Sequence, residues 1–540
     1  MSRDMSAEPV LSIEGLTLRL PKHADRAEAV SQVSFKIAAG ETLCVVGESG
    51  SGKSMLAHAI MGLLPSAVKP SGGAIKLAGR ELLGLSEAQM QAVRGREIGM
   101  IFQEPMTSLN PVMRVAEQII EVFDAHGVLD SGARAARALA LLQEVGLPDP
   151  PRLARAYPHE LSGGQRQRVM IAMALALNPK LLIADEPTTA LDVTTQAQIL
   201  KLIDGLRKSH GTAVLFITHD FGVVADIADR IAVLEKGVLV EEGTADAVFN
   251  APRAPYTRRL LAAVPSLNPP GGAPKQIGPP VLTVSNLGKT YRRRSFFGKG
   301  REVHAAADVS FQIGRGETLG VVGESGSGKS TVGRCCLRLI EPDTGTIMLG
   351  DLSIRDLSAR AFRPHRKRIQ MVFQDPFASL NPRRTVGQIL SEGPVAHGTA
   401  LTQAMARARE LLELVGLNAN AIDRYPHEFS GGQRQRIGIA RALALEPDVL
   451  VADEAVSALD VSVQAQILTL IRDIQLRLGL GILFVTHDLR VAAQVCDRIA
   501  VMQHGRIVEQ GATATLFADP QHAYTRQLLA AVPGRARFSH

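Results

Sequence analysis

The sequence predicts two α/β modules in tandem, joined by a short linker. Within each half of the 540 residues, short β-branched runs alternate with segments of helical periodicity, which is typical of sheets covered by helices. The octapeptide Gly47–Ser54 recurs letter for letter at Gly323–Ser330, and such a repeat indicates two copies of one fold. We expect modules over residues 1–265 and 281–540, with a linker rich in proline and glycine over 266–280.

The bulk composition indicates a multidomain protein of the cytosol. No window approaches the roughly 18 uninterrupted apolar residues of a membrane-spanning helix, and the amino-terminal residues lack the apolar core of a secretion signal. Four cysteines without a C-x-x-C pair argue against a metal cage or a disulfide framework. A net charge of +7 is a mild excess for this length. The densest basic run, Tyr291–Arg301, could contact nucleic acid or lipid head groups, or be a solvated loop.

The first repeated element is a glycine-rich loop between a strand and a helix. An apolar run over 41–46 precedes the first copy, and a helical pattern over 55–64 follows it. In G-x-x-x-x-G-K-[ST], the glycines let backbone N–H groups point at phosphate oxygens, and the dipole of the following helix favours an anion. The predicted phosphate-binding residues are Gly47, Glu48, Ser49, Gly50, Ser51, Gly52, Lys53 and Ser54, with Gly323, Glu324, Ser325, Gly326, Ser327, Gly328, Lys329 and Ser330 in the second copy.

Two side chains of each loop are predicted to act on the phosphates. Lys53 and Lys329 would neutralise the β- and γ-phosphates, and the hydroxyls of Ser54 and Ser330 would ligate Mg²⁺. A single copy of the motif could be a structural turn. Two copies in register make chance negligible.

Paired acids end a second apolar strand in each module. Asp185 precedes Glu186, and Asp453 precedes Glu454. The aspartates are placed to hold Mg²⁺ through water, and the glutamates to orient and deprotonate the water that attacks the γ-phosphorus. Acids that merely cap a strand are the alternative for a single copy, and the repeat argues against it.

A histidine and a glutamine complete each predicted site. His219 and His487 follow a further apolar strand, where the imidazole can hydrogen-bond the γ-phosphate and the attacking water. Gln103 and Gln374 end strands before proline-rich loops and could sense the γ-phosphate or ligate Mg²⁺. A lone histidine would more often be structural, and a lone glutamine simply exposed. Repetition favours a functional role for both.

These residues, in this order, resemble the ATP-binding subunits of ABC transporters over nearly the whole chain. Two Ser-Gly-Gly-Gln segments resemble the family's signature, and two segments ending in Ala-Leu-Asp, which begin at Thr189 and Ser457, resemble its D-loops. Read alone, Ser-Gly-Gly is either a helix cap or an anion site at a helix N-terminus. The positions matched are Ser162, Gly163, Gly164, Gln165 and Asp192, then Ser430, Gly431, Gly432, Gln433 and Asp460.

The resemblance implies a RecA-like α/β core, an antiparallel β subdomain and a helical subdomain in each module. It also implies that each signature faces the glycine loop of the other module, so that two ATP molecules lie in a head-to-tail pair. One site would combine the Lys53 loop with the second module's signature and Asp460. The other would combine the Lys329 loop with the first module's signature and Asp192. All key positions are filled in both, so we expect two hydrolytic sites.

One departure from the family pattern distinguishes the modules. The family usually places an aromatic ring upstream of the glycine loop to stack on adenine. Tyr291 fits this role, whereas Leu20 takes the equivalent position in the first module. Because base stacking on an aromatic ring is worth about 1–3 kcal/mol in single-stranded nucleic-acid sites, we expect weaker nucleotide binding at the Lys53 site.

Further segments resemble bacterial importers of the dipeptide, oligopeptide and nickel group. These are Tyr-Pro-His-Glu before each signature, at Tyr157 and Tyr425, and the related tails over 254–261 and 522–529. We therefore expect uptake of peptides or peptide-like solutes. Nickel, glutathione and peptide antibiotics remain alternatives, because an ATPase of this kind does not touch the solute.

The resemblance also implies partners and a location. Two integral-membrane permeases would dock near the Gln103 and Gln374 loops, and an extracytoplasmic binding protein would deliver the solute. The chain would lie peripherally on the cytoplasmic face of the inner membrane. Many peptide importers carry a cysteine cluster for iron and sulfur near the tail. No such cluster is expected here, because neither tail contains a cysteine.

The rival function is a soluble tandem ATPase that acts on ribosomes or DNA. Such factors use a long charged helical arm between modules, or insert zinc-binding cysteines, whereas this chain has a short Pro/Gly linker. We therefore expect no nucleic-acid partner. A regulatory ATP-binding scaffold without turnover is disfavoured, because Glu186 and Glu454 are both present.

Overall fold

The computed structural model describes residues 8–188, 191–270, 277–293, 301–457 and 459–538. It divides into two compact units, of which unit 1 takes residues up to 191 and 195–264, and unit 2 takes residues 192–194 and those from 265 onward.

In the described residues up to 264, ten strands form two sheets. They are β1 (Leu11–Arg19), β2 (Glu28–Ile37), β3 (Thr42–Val46), β4 (Lys69–Leu77), β5 (Arg80–Glu81), β6 (Ile98–Ile101), β7 (Leu181–Asp185), β8 (Ala213–Thr218), β9 (Arg230–Glu235) and β10 (Val238–Thr244). The smaller sheet is antiparallel, in the order β2-β1-β4-β5. The larger sheet, in the order β10-β9-β3-β8-β7-β6, is parallel except for β10.

Helices pack around these sheets, and a group of them follows β6. The helices are α1 (Lys53–Ile60), α2 (Glu87–Val93), α3 (Pro105–Ser108), α4 (Val115–Ala125), α5 (Ser131–Glu144), α6 (Pro150–Leu153), α7 (Gly163–Ala174), α8 (Val193–His210), α9 (Phe221–Ile227), α10 (Ala245–Asn250) and α11 (Pro255–Ala262). A 3₁₀ turn at Pro158–Glu160 leads into α7. Helices α3 to α7 form a helical region between β6 and β7 in the chain.

Unit 2 repeats the two sheets. Its strands are β11 (Pro280–Arg293), β12 (Arg301–Gly314), β13 (Thr318–Val322), β14 (Thr344–Leu349), β15 (Leu352–Ser353), β16 (Ile369–Val372), β17 (Val449–Asp453), β18 (Gly481–Val485), β19 (Arg498–Gln503) and β20 (Arg506–Ala512). Their orders are β12-β11-β14-β15 and β16-β17-β18-β13-β19-β20.

The helices of unit 2 follow the same succession. They are α12 (Lys329–Cys336), α13 (Ala359–Phe362), α14 (Pro376–Ser379), α15 (Val386–Ala396), α16 (Leu401–Leu414), α17 (Gly431–Leu443), α18 (Val461–Leu478), α19 (Leu489–Val495), α20 (Thr513–Ala518) and α21 (Ala523–Ala530). The 3₁₀ turns lie at Arg363–Arg368, Ala419–Asp423 and Pro426–Glu428.

The central strands are buried on both faces, which explains their continuous apolar sequence. Every residue of β3, β7, β8, β13 and β17 is buried, as expected for parallel strands that helices cover from both sides. The predicted order of strand, glycine loop and helix is present in both units, because β3 leads into α1 and β13 into α12. The α/β fold predicted from the repeat is confirmed.

The first residues of the predicted linker pack against unit 2. The Gln494 side-chain amide donates to the carbonyls of Ser266, at 2.8 Å, and Asn268, at 3.0 Å. Leu267 belongs to the apolar core of unit 2. Residues 271–276 lie outside the described part of the chain. The first residues of the predicted linker are therefore part of the packed structure of unit 2.

The four cysteines take core positions. Cys44, Cys335, Cys336 and Cys496 are all buried and unpaired by disulfides, and burial raises the pKa of the Cys335 thiol to about 11. Neutral buried thiols of this kind pack as small apolar groups. Within the described ranges, no helix combines the length and apolar character that crossing a bilayer requires.

Candidate functional site

Each glycine loop leaves no room for a side chain at the glycine that precedes its lysine. Gly52, which precedes α1, has a φ of 105°, a conformation that favours glycine. A Cβ there would come within 2.5 Å of the Ala29 carbonyl oxygen. Gly328 of unit 2 has the same φ of 105°. The loop backbone is thereby held around the space where the sequence places phosphates.

The loop lysines lie inside their own loops. Lys53 is 5% exposed, and its Nζ donates to the carbonyls of Gly47, at 2.7 Å, and Glu48, at 2.8 Å. In unit 2, the Lys329 ammonium donates in the same way to Gly323 at 2.8 Å and Glu324 at 2.7 Å. Burial lowers the pKa of Lys329. Hydrogen bonds to the loop carbonyls thus hold each ammonium in place beside the loop. A phosphate oxygen could accept these bonds instead.

A hydroxyl and a carboxylate meet at the start of each loop helix. Ser54 Oγ donates to Asp185 Oδ1 at 3.2 Å, and Ser330 Oγ donates to Asp453 Oδ1 at 2.8 Å. Burial raises the pKa of both aspartates. No group of three or more His, Cys, Asp or Glu side chains able to hold a metal occurs among the residues described. The oxygen pair fits Mg²⁺, which typically takes one or two protein ligands together with phosphate oxygens and water.

The acid that follows each aspartate is held between a glutamine and a histidine. Glu186 has a φ of 47°, an uncommon conformation for a residue other than glycine. Its Oε2 accepts from Gln103 Nε2 at 3.0 Å, and its Oε1 lies 3.0 Å from His219 Nδ1. The structure therefore brings together three residues that lie far apart in the sequence.

Unit 2 contains the same three-residue arrangement. Gln374 donates to Glu454 Oε2 at 2.7 Å, and His487 Nδ1 lies 3.2 Å from Glu454 Oε1. Although burial opposes both charges, the hydrogen bond between the two groups lowers the pKa of Glu454 and raises the pKa of His487. The acid is thus kept as a carboxylate, the state that a general base requires.

The signature serines begin helices. Ser162 Oγ accepts from the N–H of Gln165 at 3.3 Å, while Gln165 Oε1 accepts from the N–H of Ser162 at 3.0 Å. Ser430 and Gln433 form the same capping box. The helix-cap interpretation of Ser-Gly-Gly is therefore correct for these side chains. Their contact with nucleotide stays a prediction.

The two predicted D-loop aspartates lie at the starts of helices α8 and α18. Asp192 accepts from the hydroxyl of Thr194 at 2.8 Å, and Asp460 precedes α18 as its N-cap. Parts of both D-loops, residues 189–190 and 458, lie outside the described chain.

The two upstream positions differ as the sequence suggests. Tyr291 is 41% exposed, and Lys289 Nζ lies 5.9 Å from its ring centroid. Leu20 instead packs against the apolar core of unit 1. Leu20 and Tyr291 occupy equivalent positions, each in the antiparallel hairpin of its own unit. The N–H of Leu20 donates to the Ala27 carbonyl at 2.8 Å, and Tyr291 pairs with Val303.

Two buried tyrosines also reach the glycine loops, and they were missed as site residues. The Tyr256 hydroxyl accepts from the N–H of Glu48 at 3.2 Å, and the Tyr524 hydroxyl accepts from the N–H of Glu324 at 3.1 Å. Both tyrosines belong to the repeated tails. The repeat of the tail segments is the sequence feature that points to these tyrosines, although it does not show what their hydroxyls contact.

Two family models each match both halves of the chain. The model described as ABC transporter matches residues 30–189 and 306–457. The model described as oligopeptide/dipeptide transporter, C-terminal region, matches residues 240–298 and 508–537.

Curated relatives match almost the full length of this chain. The glutathione import ATP-binding protein of Salmonella typhimurium is 48% identical over 98% of this chain and 91% of its own length. The protein of that name from Escherichia coli (strain K12) is 49% identical over the same shares. A dimeric ATP-binding cassette in a post-hydrolysis state with bound ADP and Pi is 28% identical, with a TM-score of 0.39, and covers 43% of this chain and 98% of its own.

The His487–Glu454 pair predicts a pH-dependent contribution to stability. Because the pKa of His487 is raised, its protonated form stabilises the fold fully below pH 6.5, and this contribution is lost as the pH rises through the raised pKa. Because the pKa of Glu454 is lowered, its ionised form stabilises the fold fully above pH 4.5, and this contribution is lost as the pH falls through the lowered pKa. The pair therefore contributes most between these two pH values.

We expect His487→Ala to lower the free energy of unfolding by about 1.5–3 kcal/mol at a pH of about 5.5, the usual range for a charged hydrogen bond. The loss should be smaller at a pH of about 8.5. Scanning calorimetry with EDTA and without nucleotide measures it, and His397→Ala, at an exposed position, is the control. An equal loss at both pH values would contradict the ion pair.

Proposed function

This chain belongs to the ABC transporter family and is an ATP-binding ATPase, and from that premise we propose that it drives the uptake of glutathione or a similar peptide. Near-full-length likeness to two glutathione import ATP-binding proteins supports this cargo. The match to the oligopeptide/dipeptide C-terminal region supports the same solute group. Other dipeptides and oligopeptides, nickel and peptide antibiotics are the alternatives.

The observation that carries hydrolysis is the carboxylate held beside each glycine loop. We propose that Glu186 and Glu454 accept a proton from the attacking water, and that His219 and His487 orient them. On nucleotide binding, Lys53 would exchange its carbonyl partners for phosphate oxygens. Bound Mg²⁺ would neutralise charge on the phosphates, held by Ser54 with Asp185 and by their counterparts Ser330 with Asp453, and Gln103 and Gln374 remain its further predicted ligands.

The pairing of each glycine loop with the signature of the other module stays a prediction of the family resemblance. Its predicted participants are the Ser-Gly-Gly-Gln segments at Ser162 and Ser430, with Asp192 and Asp460.

A groove in unit 2 is suited to a membrane partner. It has a volume of about 360 Å³ and lies between β16, α15 and α17, with Leu339, Phe373, Glu392 and Arg441 among its lining residues. Leu339 is 50% exposed and Phe373 is 39% exposed, so the groove offers an apolar edge that is open to solvent. Because Phe373 directly precedes Gln374, a permease segment bound here would be linked to Glu454.

We therefore propose two permease subunits as partners, with an extracytoplasmic binding protein and a peripheral location on the cytoplasmic face of the inner membrane. The two relatives named above are described as import proteins, which favours this function over a soluble ATPase on ribosomes or DNA. Stimulation of hydrolysis by ribosomes or DNA would favour that rival.

Removal of both general bases tests the proposed function. We expect Glu186→Gln/Glu454→Gln to lower kcat by about 100-fold, the usual contribution of a general base, while nucleotide still binds and is trapped. Glu186→Gln alone should lower total turnover by about half or more. Release of phosphate measures hydrolysis, and undiminished hydrolysis would contradict the assigned role.

In cells that lack this chain, the wild-type protein should restore uptake of labelled glutathione, and the double variant should not. Uptake of a labelled dipeptide instead of glutathione would retain the ATPase and reassign the cargo.

The groove predicts a separation of transport from hydrolysis. We expect Leu339→Glu to lower co-purification with the permeases and solute uptake by about tenfold, because a charge would be buried in an apolar contact. Basal hydrolysis of the isolated chain should stay within about twofold. Leu476→Glu is the matched control, since Leu476 is 61% exposed on α18 away from the groove lining. Equal losses in both variants would exclude the groove as the docking site.

The difference between Leu20 and Tyr291 predicts unequal nucleotide affinity. We expect Leu20→Tyr to tighten binding at the first site by about fivefold or more, because stacking is worth about 1–3 kcal/mol. Titration of a fluorescent ATP analogue measures it, with Lys329→Ala silencing the second site. Tyr291→Leu, measured with Lys53→Ala, should weaken binding by a similar factor. Unchanged affinities in both would remove the hypothesis.

A further inference from the structure

The tail of each half is fixed close to its own glycine loop. In unit 1, the Glu241 carboxylate accepts from the backbone N–H groups of Arg253, at 2.7 Å, and Ala254, at 3.0 Å. These residues directly precede α11, so a side chain from β10 holds the amino-terminal end of the tail helix. Tyr256 lies in the first turn of α11 and is 6% exposed.

Unit 2 builds the same arrangement from a different tail sequence. Glu509 of β20 accepts from the N–H groups of Gln521, at 2.7 Å, and His522, at 3.1 Å. Helix α21 follows, and Tyr524 in its first turn is 5% exposed. The same two contacts are thus kept although Ala254-Pro in one tail is replaced by His522-Ala in the other.

The tyrosine and the loop lysine hold opposite ends of one peptide group. In the Gly47–Glu48 peptide, the carbonyl accepts from Lys53 Nζ at 2.7 Å, and the N–H donates to the Tyr256 hydroxyl at 3.2 Å. In the Gly323–Glu324 peptide, the corresponding distances to Lys329 and Tyr524 are 2.8 Å and 3.1 Å. Rotation of this peptide would break both bonds, so the hydroxyl fixes the carbonyl that positions the lysine.

We propose that Tyr256 and Tyr524 are positioning residues for ATP binding, which set the phosphate-contacting lysines through the first peptide of each glycine loop. The inference rests on the proposed phosphate-binding role of those loops. The tail helix of each unit then acts as a fixed support for its own loop. Without the hydroxyl, the peptide can rotate in the empty site, and part of the binding free energy is spent on restoring it.

A buried tyrosine normally finds some hydrogen-bond partner, so a purely structural role makes a different prediction. Loss of a structural contact would lower the melting temperature and affect nucleotide binding only as the fold weakens. Loss of a positioning contact would weaken binding in a folded protein. Once ATP is bound, the phosphate would hold the lysine, so kcat would change little.

The test uses the full chain with Tyr256→Phe/Tyr524→Phe, which removes the two hydroxyls and keeps the rings. We expect KM for ATP to rise by about fivefold, as for loss of one hydrogen bond, with kcat within about twofold of the wild type. Hydrogen exchange measured by mass spectrometry should show faster exchange in the peptides that contain Glu48 and Glu324. The single variants provide the same readouts if the double variant does not fold.

The matched control is Leu260→Ala/Leu528→Ala, which removes buried side chains from the same two helices and keeps the hydroxyls. It should lower the melting temperature and leave KM within about twofold. A tyrosine variant with unchanged KM, or an equal rise of KM in the leucine variant, would overturn the positioning role.

Lys53→Ala/Lys329→Ala separates this inference from the proposed function. That variant should lose binding of the fluorescent ATP analogue. If it binds as the wild type does, the proposed role of the glycine loops fails. If it loses binding while the tyrosine variant behaves as the wild type, only the positioning role fails.

Discussion

The bond between each buried lysine and the carbonyls of its own glycine loop is the contact on which the rest of the site depends. A buried ammonium is costly unless its hydrogen bonds are satisfied, and here the loop carbonyls accept those bonds. The loop must therefore curve back on its lysine, which accounts for the left-handed conformation of Gly52 and Gly328. The strand before each loop and the helix after it fix the two ends of this curved backbone, and so keep the carbonyls in reach of the lysine.

Much of this arrangement could be predicted because its signals are local. The loops, the acids at the ends of β7 and β17, and the strands themselves follow from motif and apolar pattern within a few residues. The contact of Gln103 with Glu186 could not be predicted, since it joins side chains 83 residues apart. Nor could the contact of Tyr256 with Glu48, which spans 208 residues. Such distant contacts depend on packing, and neither composition nor periodicity records them.

Some predicted site residues have protein partners that the sequence did not indicate. Gln103 and His219 are predicted to contact the γ-phosphate, and in the structure both side chains contact Glu186. Gln165 was selected with the signature, and its side chain completes a helix cap. In each case a neighbouring group of the protein satisfies a polar side chain. The sequence alone does not reveal these contacts.

If Glu454 is the general base proposed above, its contacts give a reason for hydrolysis to wait until the site is correctly assembled. Both of its carboxylate oxygens are engaged, one by Gln374 and the other by His487. A carboxylate with both oxygens engaged in this way is charged, but it is a weaker base toward water. Release of either bond would raise its basicity toward the attacking water. Because Gln374 follows the residue that lines the unit 2 groove, a partner bound there would act on the same bond that restrains the acid. In unit 1 the same two oxygens of Glu186 are engaged, so the restraint belongs to the fold of each unit and does not depend on the aromatic residue that distinguishes them.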